Sequence, residues 1–260
     1  MPRYDFRSPR LHVEADLKPG ATVALEAPQT HYLRTVLRLK EGDAVLAFNG
    51  RGGEWRTALA AGKRGALKVE EQTRPKTASL DLHYLFAPLK HERLDYMVQK
   101  AVELGVSQLT PVLTRHTQVQ RVNVARMRAN AREAAEQCGI LSLPEIAEPL
   151  SFARALAKRD PGRLLVFCDE DTDVKDPVAA FAAARPKPEA TLPLTMVDAF
   201  APQPLAVLVG PEGGFSAEER AALMKLSNIV RLSLGPSILR ADTAAVAALS
   251  LVQAVLGDWR

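Results

Sequence analysis

Two glycine-bearing segments near the C-terminus hold the residue types best suited to chemistry. They are Val207-Leu-Val-Gly-Pro-Glu-Gly-Gly-Phe-Ser216 and Leu232-Ser-Leu-Gly-Pro-Ser-Ile-Leu-Arg-Ala-Asp-Thr-Ala-Ala245. Each is a short apolar run that stops at a glycine turn and then starts a helix. Two such strand ends side by side in a parallel sheet make a cleft lined by backbone, which can hold a flat ligand by its polar edges. The first segment lacks the Gly-Lys-Ser/Thr of a P-loop, and it is not a GxGxxG fingerprint. It nevertheless lies where nucleotide-binding turns lie, after a buried strand and before a capped helix. Gly213 and Gly214 permit positive φ and close ligand approach. An ordinary tight turn accounts for this segment equally well. In the second segment Ile238 and Leu239 are apolar within a turn, so they are either buried or stacked on something flat. Arg240 and Asp242 follow in the first helical turn. Asp there suits the helix dipole and Arg does not. Arg240 therefore needs a partner, either a nucleic-acid phosphate or an internal acid such as Glu212 or Asp242.

The elements that must position these segments can be read from residue 79 onward. Leu80–Phe86, Gln108–Leu113, Leu164–Cys168, Leu205–Val209 and Ile229–Leu234 are short apolar runs of strand length. Between them, Leu94, Met97, Val98, Ala101 and Val102 form one helical face, which Pro88 can open and Gly105 closes. Val124–Cys138 reads as a helix with Asn123 as N-cap and Gly139 after its end. Ser216-Ala-Glu-Glu219 is a capping box. A last helix is expected from about Leu239 to Leu256. Its Ala244, Ala245, Ala247 and Ala248 allow close helix contact. This alternation predicts an α/β fold with a parallel sheet covered on both faces. Residues 169–204 are Pro-, Ala- and charge-rich, with one short helix near Val178–Ala184 and an extended loop from Pro186 to Pro204.

Residues 1–77 have a different rhythm. Ala21–Leu25 and Ala44–Phe48 alternate, Asn49-Gly50 and Gly52-Gly53 signal turns, and Glu54–Ala58 returns as a strand. His31–Leu39 contains a short helical piece. Many short strands with a turn every ten residues or so predict a small β-barrel, and Thr73–Thr77 reads as the linker. The chain thus divides into domains at 1–77 and 78–260. Residues 1–78 carry 14 Lys+Arg against 9 Asp+Glu, and the remainder 20 against 21. A small basic unit attached to a neutral one suggests a nucleic-acid grip beside a working domain, although a solvated basic surface fits the charge as well. No stretch approaches the roughly 20 apolar residues of a membrane span. Cys138 and Cys168 are far apart, which argues against a disulfide framework or a zinc site and fits a reducing cytosol.

Taken together, the two glycine segments resemble the knotted SPOUT-class methyltransferases, in particular the family that methylates N3 of a uridine in small-subunit (16S) ribosomal RNA. Met1-Pro-Arg-Tyr and His31-Tyr-Leu-Arg-Thr-Val-Leu-Arg38 look like that family's PUA-like RNA-binding domain. Gln99-Lys-Ala-Val-Glu-Leu-Gly-Val106, and Glu133-Ala-Ala-Glu-Gln137 with Pro144, are similar to its interdomain signature. The resemblance implies a SPOUT α/β-knot, with Leu205–Val209, Ile229–Leu234 and the following turn threaded into a deep trefoil knot. It implies S-adenosylmethionine bound by Gly210, Glu212, Gly213, Gly214, Leu234, Gly235, Ile238, Leu239 and Thr243. It implies a cytoplasmic homodimer acting on 16S rRNA within the small ribosomal subunit, with no metal and no membrane.

Uridine N3 is a poor nucleophile until its proton leaves, and its Watson–Crick position requires an unpaired or flipped-out target. Arg240 is the candidate cation for the developing uracil anion or for a phosphate. Glu212 is a candidate base or a partner of Arg240. Arg3, Arg10, Arg34, Arg38, Lys90, Arg93 and Lys100 are candidate phosphate contacts. The family usually has arginine where this chain has Ser237, His116 and Ile140, and replacing Arg by Ser removes a charge and five donors. Two other readings fit less of the sequence. One is a non-catalytic RNA-binding or ribosome-assembly protein that kept the fold. The other is a SPOUT enzyme with another RNA target.

Overall fold

A computed structural model describes residues 5, 7–62, 65–172, 174, 176–184 and 203–259. Arg3 and most of the Pro186–Pro204 loop lie outside the described residues. The chain forms two compact units, one comprising residues 1–78 and 132–143, the other 79–131 and 144–260. The division differs from a single cut near residue 77, because residues 132–143 belong with the N-terminal unit.

The first unit is built on a five-stranded sheet. In chain order its strands are β1 (Arg10–His12), β2 (Thr22–Ala24), β3 (Ala44–Phe48), β4 (Glu54–Leu59) and β5 (Ala66–Arg74). Their spatial order is β1-β3-β4-β5-β2, with β1 and β3 parallel and the other pairs antiparallel. Leu11 from one end of this path and Val23 from the other share one buried cluster with Leu33, Val45, Leu59, Leu67 and Val69. A sheet whose two ends bury side chains in one core is rolled, as the alternating pattern predicts. Strand β5 runs through Thr73 and Arg74, so these two residues belong to the sheet and not to a linker. The helical piece starts earlier than expected, as α1 (Ala27–His31), and continues as a wider turn over Tyr32–Val36.

Arg10 is buried in this unit. Its Nε donates to Glu54 Oε2 at 3.0 Å, and Arg74 Nη2 reaches the same oxygen at 2.6 Å. Glu54 is only 3% exposed. Burial by itself would raise the Glu54 carboxyl, but hydrogen bonds from Arg74 and Thr73 outweigh it and hold the group below the usual carboxylate range. Arg10 is therefore an internal structural cation and not a surface phosphate contact.

The second unit is a parallel sheet. Its strands are β6 (Leu82–Phe86), β7 (Gln108–Leu113), β8 (Glu145–Ile146), β9 (Leu150–Ser151), β10 (Leu164–Cys168), β11 (Leu205–Val209) and β12 (Ile229–Leu232). The order is β12-β10-β11-β6-β7-β8, with β9 also on β7, and every pairing is parallel. Strand β11 is buried along its whole length and β10 along all but its last residue. Side chains on both faces of these strands need cover. Leu85, Leu165, Phe167, Ala206 and Leu208 pack with residues of α4 (Phe152–Ala157) and α6 (Ala217–Met224). Helix α7 (Ala241–Val255) packs with α2 (His91–Glu103), α5 (Pro177–Ala184) and β11. Ala244, Ala245 and Ala248 are buried within the single chain, so this part of the alanine-rich face is ordinary core. The expected apolar face of α2 is the buried one. The helix begins one turn later than Pro88 suggests, with Lys90 as N-cap. Helix α3 (Val124–Cys138) starts with Asn123 Oδ1 accepting from the Arg126 amide at 3.0 Å.

The Glu54 cluster supplies a stability prediction. Glu54→Gln removes the buried carboxylate that Arg10 and Arg74 share and is expected to cost about 3 kcal/mol at pH 7. Because the folded-state carboxyl is depressed, its contribution is complete above the unfolded-state value of about 4.3 and is lost as pH falls through the folded one. Urea titrations of wild type and variant should therefore converge only once pH falls below the depressed folded-state value.

Candidate functional site

Parallel pairing sets Cys168 of β10 opposite Leu232 of β12 and carries Val209 of β11 to the same end of the sheet. A cavity of about 150 Å³ opens there. It is lined by Cys168, Asp169, Glu170, Val209, Gly210, the run Leu232–Leu239, and Ala241 and Ala244 at the start of α7. This is the carboxyl edge of a parallel sheet, where open α/β folds bind ligands. A second cavity of about 290 Å³ shares Cys168, Asp169 and Glu170 and is bounded by Phe167, Asp171, Phe215, Ala217 and Arg220. A nucleotide-sized ligand needs roughly 300 Å³ or more, so it would use both sides of the Cys168–Glu170 segment. A larger cavity, about 400 Å³, lies elsewhere in the unit, between α4 and strands β6 and β7. Its lining mixes Glu145, Glu148, Asp160, Lys158, Arg159 and Arg163, and of the two glycine segments only Leu208, on the strand before the turn, reaches it.

Five of the nine expected ligand-binding residues line the smaller cavity: Gly210, Leu234, Gly235, Ile238 and Leu239. Gly235 has φ 106°, and no atom lies within 4 Å of where a side chain would begin, so backbone is presented to open space. Ile238 is 88% exposed, an apolar side chain standing at the rim and not buried in the turn. Glu212, Gly213, Gly214 and Thr243 lie outside this lining. The glycines shape the turn instead. A Cβ on Gly210 would sit 2.6 Å from Phe215 Cε2, and one on Gly214, whose φ is 65°, would sit 2.9 Å from Glu170 Oε1. The Phe215 ring needs that space because it stands edge-on to Phe167, with centroids 5.2 Å apart. His116 braces the same turn, with Nδ1 3.0 Å from the Gly213 carbonyl oxygen and 3.2 Å from that of Gly214. At these distances Nδ1 is the donor, so His116 provides a donor at a position where an arginine is expected.

The ion pairs differ from the expected ones. Arg240 is the exposed N-cap residue of α7, and among the described residues its side chain makes no hydrogen bond or ion pair. The internal salt bridges proposed for it belong to Arg93. Arg93 Nη1 donates to Glu212 Oε1 at 2.7 Å, while Nε and Nη2 fork onto Asp242 at 3.0 and 3.1 Å. This fork holds the Asp242 carboxyl below its usual range. Arg93 therefore ties the Gly210–Phe215 turn to the first turn of α7 and is not a free phosphate contact. Lys100 lies against Glu103 at 2.7 Å, and Arg34 donates to the Ala60 carbonyl at 2.8 Å. Arg38, at φ 57°, and Lys90 are exposed.

The sequence reading missed the β10 side of the site. Asp169 is 4% exposed and is gripped by Arg220 at 2.9 Å and by Arg231 at 2.7 Å. Its neighbour Cys168 is no nucleophile, since burial, and secondarily the Asp169 charge, push the thiol to about 12. The Cys-Asp-Glu run after an apolar strand was the available signal, but it carries no recognised spacing.

The fold and site define an RNA-methyltransferase architecture. The RNA methyltransferase domain model matches residues 76–253, and the RNA methyltransferase PUA domain model matches residues 25–72. The chain belongs to this RNA methyltransferase family. Among its relatives is the ribosomal RNA small subunit methyltransferase E of Synechocystis, 30% identical over 95% of this chain and 78% of the relative. The crystal structure of a ribosomal RNA small subunit methyltransferase E from Neisseria gonorrhoeae, bound to S-adenosyl methionine, superposes with a TM-score of 0.80. It is 24% identical and covers 98% of this chain and 100% of its own. A methyltransferase structure from Legionella pneumophila, in complex with the bound cofactor SAM, has a TM-score of 0.75 at 26% identity, covering 95% and 98%.

Gly210→Ala is expected to displace the Phe215 ring from its packed position and to lower stability by about 1–3 kcal/mol, read by thermal unfolding. An unchanged melting temperature would show that the ring moves freely and that the glycine is not needed for packing.

Proposed function

We propose that this protein transfers a methyl group from S-adenosylmethionine to N3 of a uridine in 16S ribosomal RNA, acting on the small ribosomal subunit in the cytoplasm as a homodimer. The observation that carries the reading is the backbone-lined cavity at the ends of β10, β11 and β12, in a chain of the RNA methyltransferase family. Gly210, Leu234, Gly235 and Leu239 are the residues that would hold the cofactor. The open space beside Gly235 suits a group held by polar backbone edges. When bound, the cofactor supplies an activated methyl. Threading of β11, β12 and the turn after them into a trefoil knot is part of the same proposal. It fits a site built from consecutive turns of one chain.

The chain's own part is positioning and charge. Holding the two reactants in register accounts for a large share of such a rate enhancement. Among the described residues Arg240 pairs with no acid, so its charge is available for a uracil oxygen or a backbone phosphate. Glu212 is occupied by Arg93, which argues for a structural carboxylate and against a general base. Lys90 and Arg38 remain exposed candidates for phosphate contacts.

The direct test is transfer of labelled methyl groups to small subunits that lack the modification, followed by nucleoside analysis. N3-methyluridine is the expected product, and a methylated ribose or another base would overturn the assignment. Arg240→Ala should lower kcat/KM by on the order of 100-fold with cofactor affinity nearly unchanged. Arg93→Ala is expected to behave oppositely. Its pairs are partly exposed and contribute at most about 1 kcal/mol to stability. Releasing both turns at once should still weaken cofactor binding measurably in calorimetry, and Arg93→Lys should restore part of it.

A further inference from the structure

The segment after β10 places one more polar group in the cavity. Glu170 lines both the 150 Å³ and the 290 Å³ cavities, at the stretch they share. Its carboxylate lies over the Gly210–Phe215 turn, close enough that a Cβ on Gly214 would come within 2.9 Å of Oε1. Among the described residues Glu170 makes no hydrogen bond and no ion pair, although Arg220 and Arg231 are nearby on its neighbour Asp169. That neighbour fixes the backbone. Asp169 is buried, both its oxygens are held by guanidinium groups, and its amide donates to the Leu232 carbonyl at 2.9 Å. A rigid anchor next to an acid without a partner leaves that acid presented to the cleft.

The chemistry of such a position is that of a diol acceptor. An ionised carboxylate has only acceptor oxygens. In dinucleotide-binding sheets the acid that reads a ribose follows a strand beside the one that carries the glycine turn. Glu170 has that relation here: β10 pairs with β11, which leads into Gly210–Phe215, and with β12, which leads into the Gly235 turn. We propose that Glu170 is the specificity-determining residue that accepts hydrogen bonds from the ribose hydroxyls of the nucleoside cofactor. This inference rests on the cofactor reading above.

The test is isothermal titration calorimetry of the full chain and of Glu170→Gln with two probes, S-adenosylhomocysteine and its 2′,3′-dideoxy analogue. Glu170 is exposed and the replacement is isosteric, so folding should be unchanged, which circular dichroism checks. Hydrogen bonds to a charged acceptor predict that the variant binds S-adenosylhomocysteine about 10- to 100-fold more weakly. The dideoxy analogue should bind wild type and variant alike, because it has no hydroxyl to lose. Equal weakening for both probes, or no weakening for either, would overturn the assignment. So would a variant that binds both normally but no longer transfers methyl groups, since that places Glu170 in the chemistry and not in recognition. Failure of wild type to bind S-adenosylhomocysteine at all would overturn the cofactor reading, and the Glu170 assignment with it.

Discussion

Parallel pairing of β10 with both β11 and β12 requires the three connecting segments to leave the sheet from one edge. Parallel strands all present their carboxyl ends together, and each chain must then turn within a few residues to return over a face. Cys168–Glu170, Gly210–Phe215 and Ser233–Leu239 are those turns. They converge because the strands before them are in register, and the cavity is the space they leave. Burial of β10 and β11 on both faces makes that register costly to change, since a slip by one residue would exchange the faces of every side chain.

Around this edge the protein spends few side chains on contacts with the cavity and many on holding the turns. Arg93 ties Glu212 to Asp242, His116 meets the Gly213 and Gly214 carbonyls, and Arg220 with Arg231 grips Asp169. Arg93 and His116 act on the Gly210–Phe215 turn, and the Asp169 pairs act on the segment after β10. The pairs involving Arg93 are partly exposed and add little to global stability. Their effect is geometric, because a backbone-lined site is only as well defined as the turns that present the backbone. Among the described residues this division of labour leaves Arg240 and Glu170 without a hydrogen bond or ion pair and Ile238 exposed, and these are the side chains available to a ligand.

The N-terminal unit achieves order by a different route. Its sheet is short-stranded and rolled, and it holds a buried carboxylate shared by Arg10 and Arg74. The basic composition of this unit is therefore partly internal. Arg10 and Arg74 neutralise Glu54, and Arg34 serves a backbone carbonyl, so fewer cations face solvent than the composition suggests.

Periodicity alone located β10, β11, the buried face of α2 and the whole of α3, because long apolar runs and helical faces are local properties of the chain. Gly105, Gly139 and the Ser216–Glu219 capping box were legible for the same reason, since each meets a need of its own helix end. The two-residue strands β8 and β9 were not legible, being too short to show a period and existing only by pairing with β7. The site divides in the same way. Gly210 and Gly235 stand out in sequence because turns at strand ends put glycine where packing or a positive φ excludes a side chain. Which acid meets which base does not, because Arg93 lies 119 residues from Glu212 and 149 from Asp242. Asp169 and Glu170 likewise acquire their roles only once β10 lies between β11 and β12. Local sequence determined the turns and the helices, and the tertiary structure alone decided the partners, since ion pairing depends on distance in space and not along the chain.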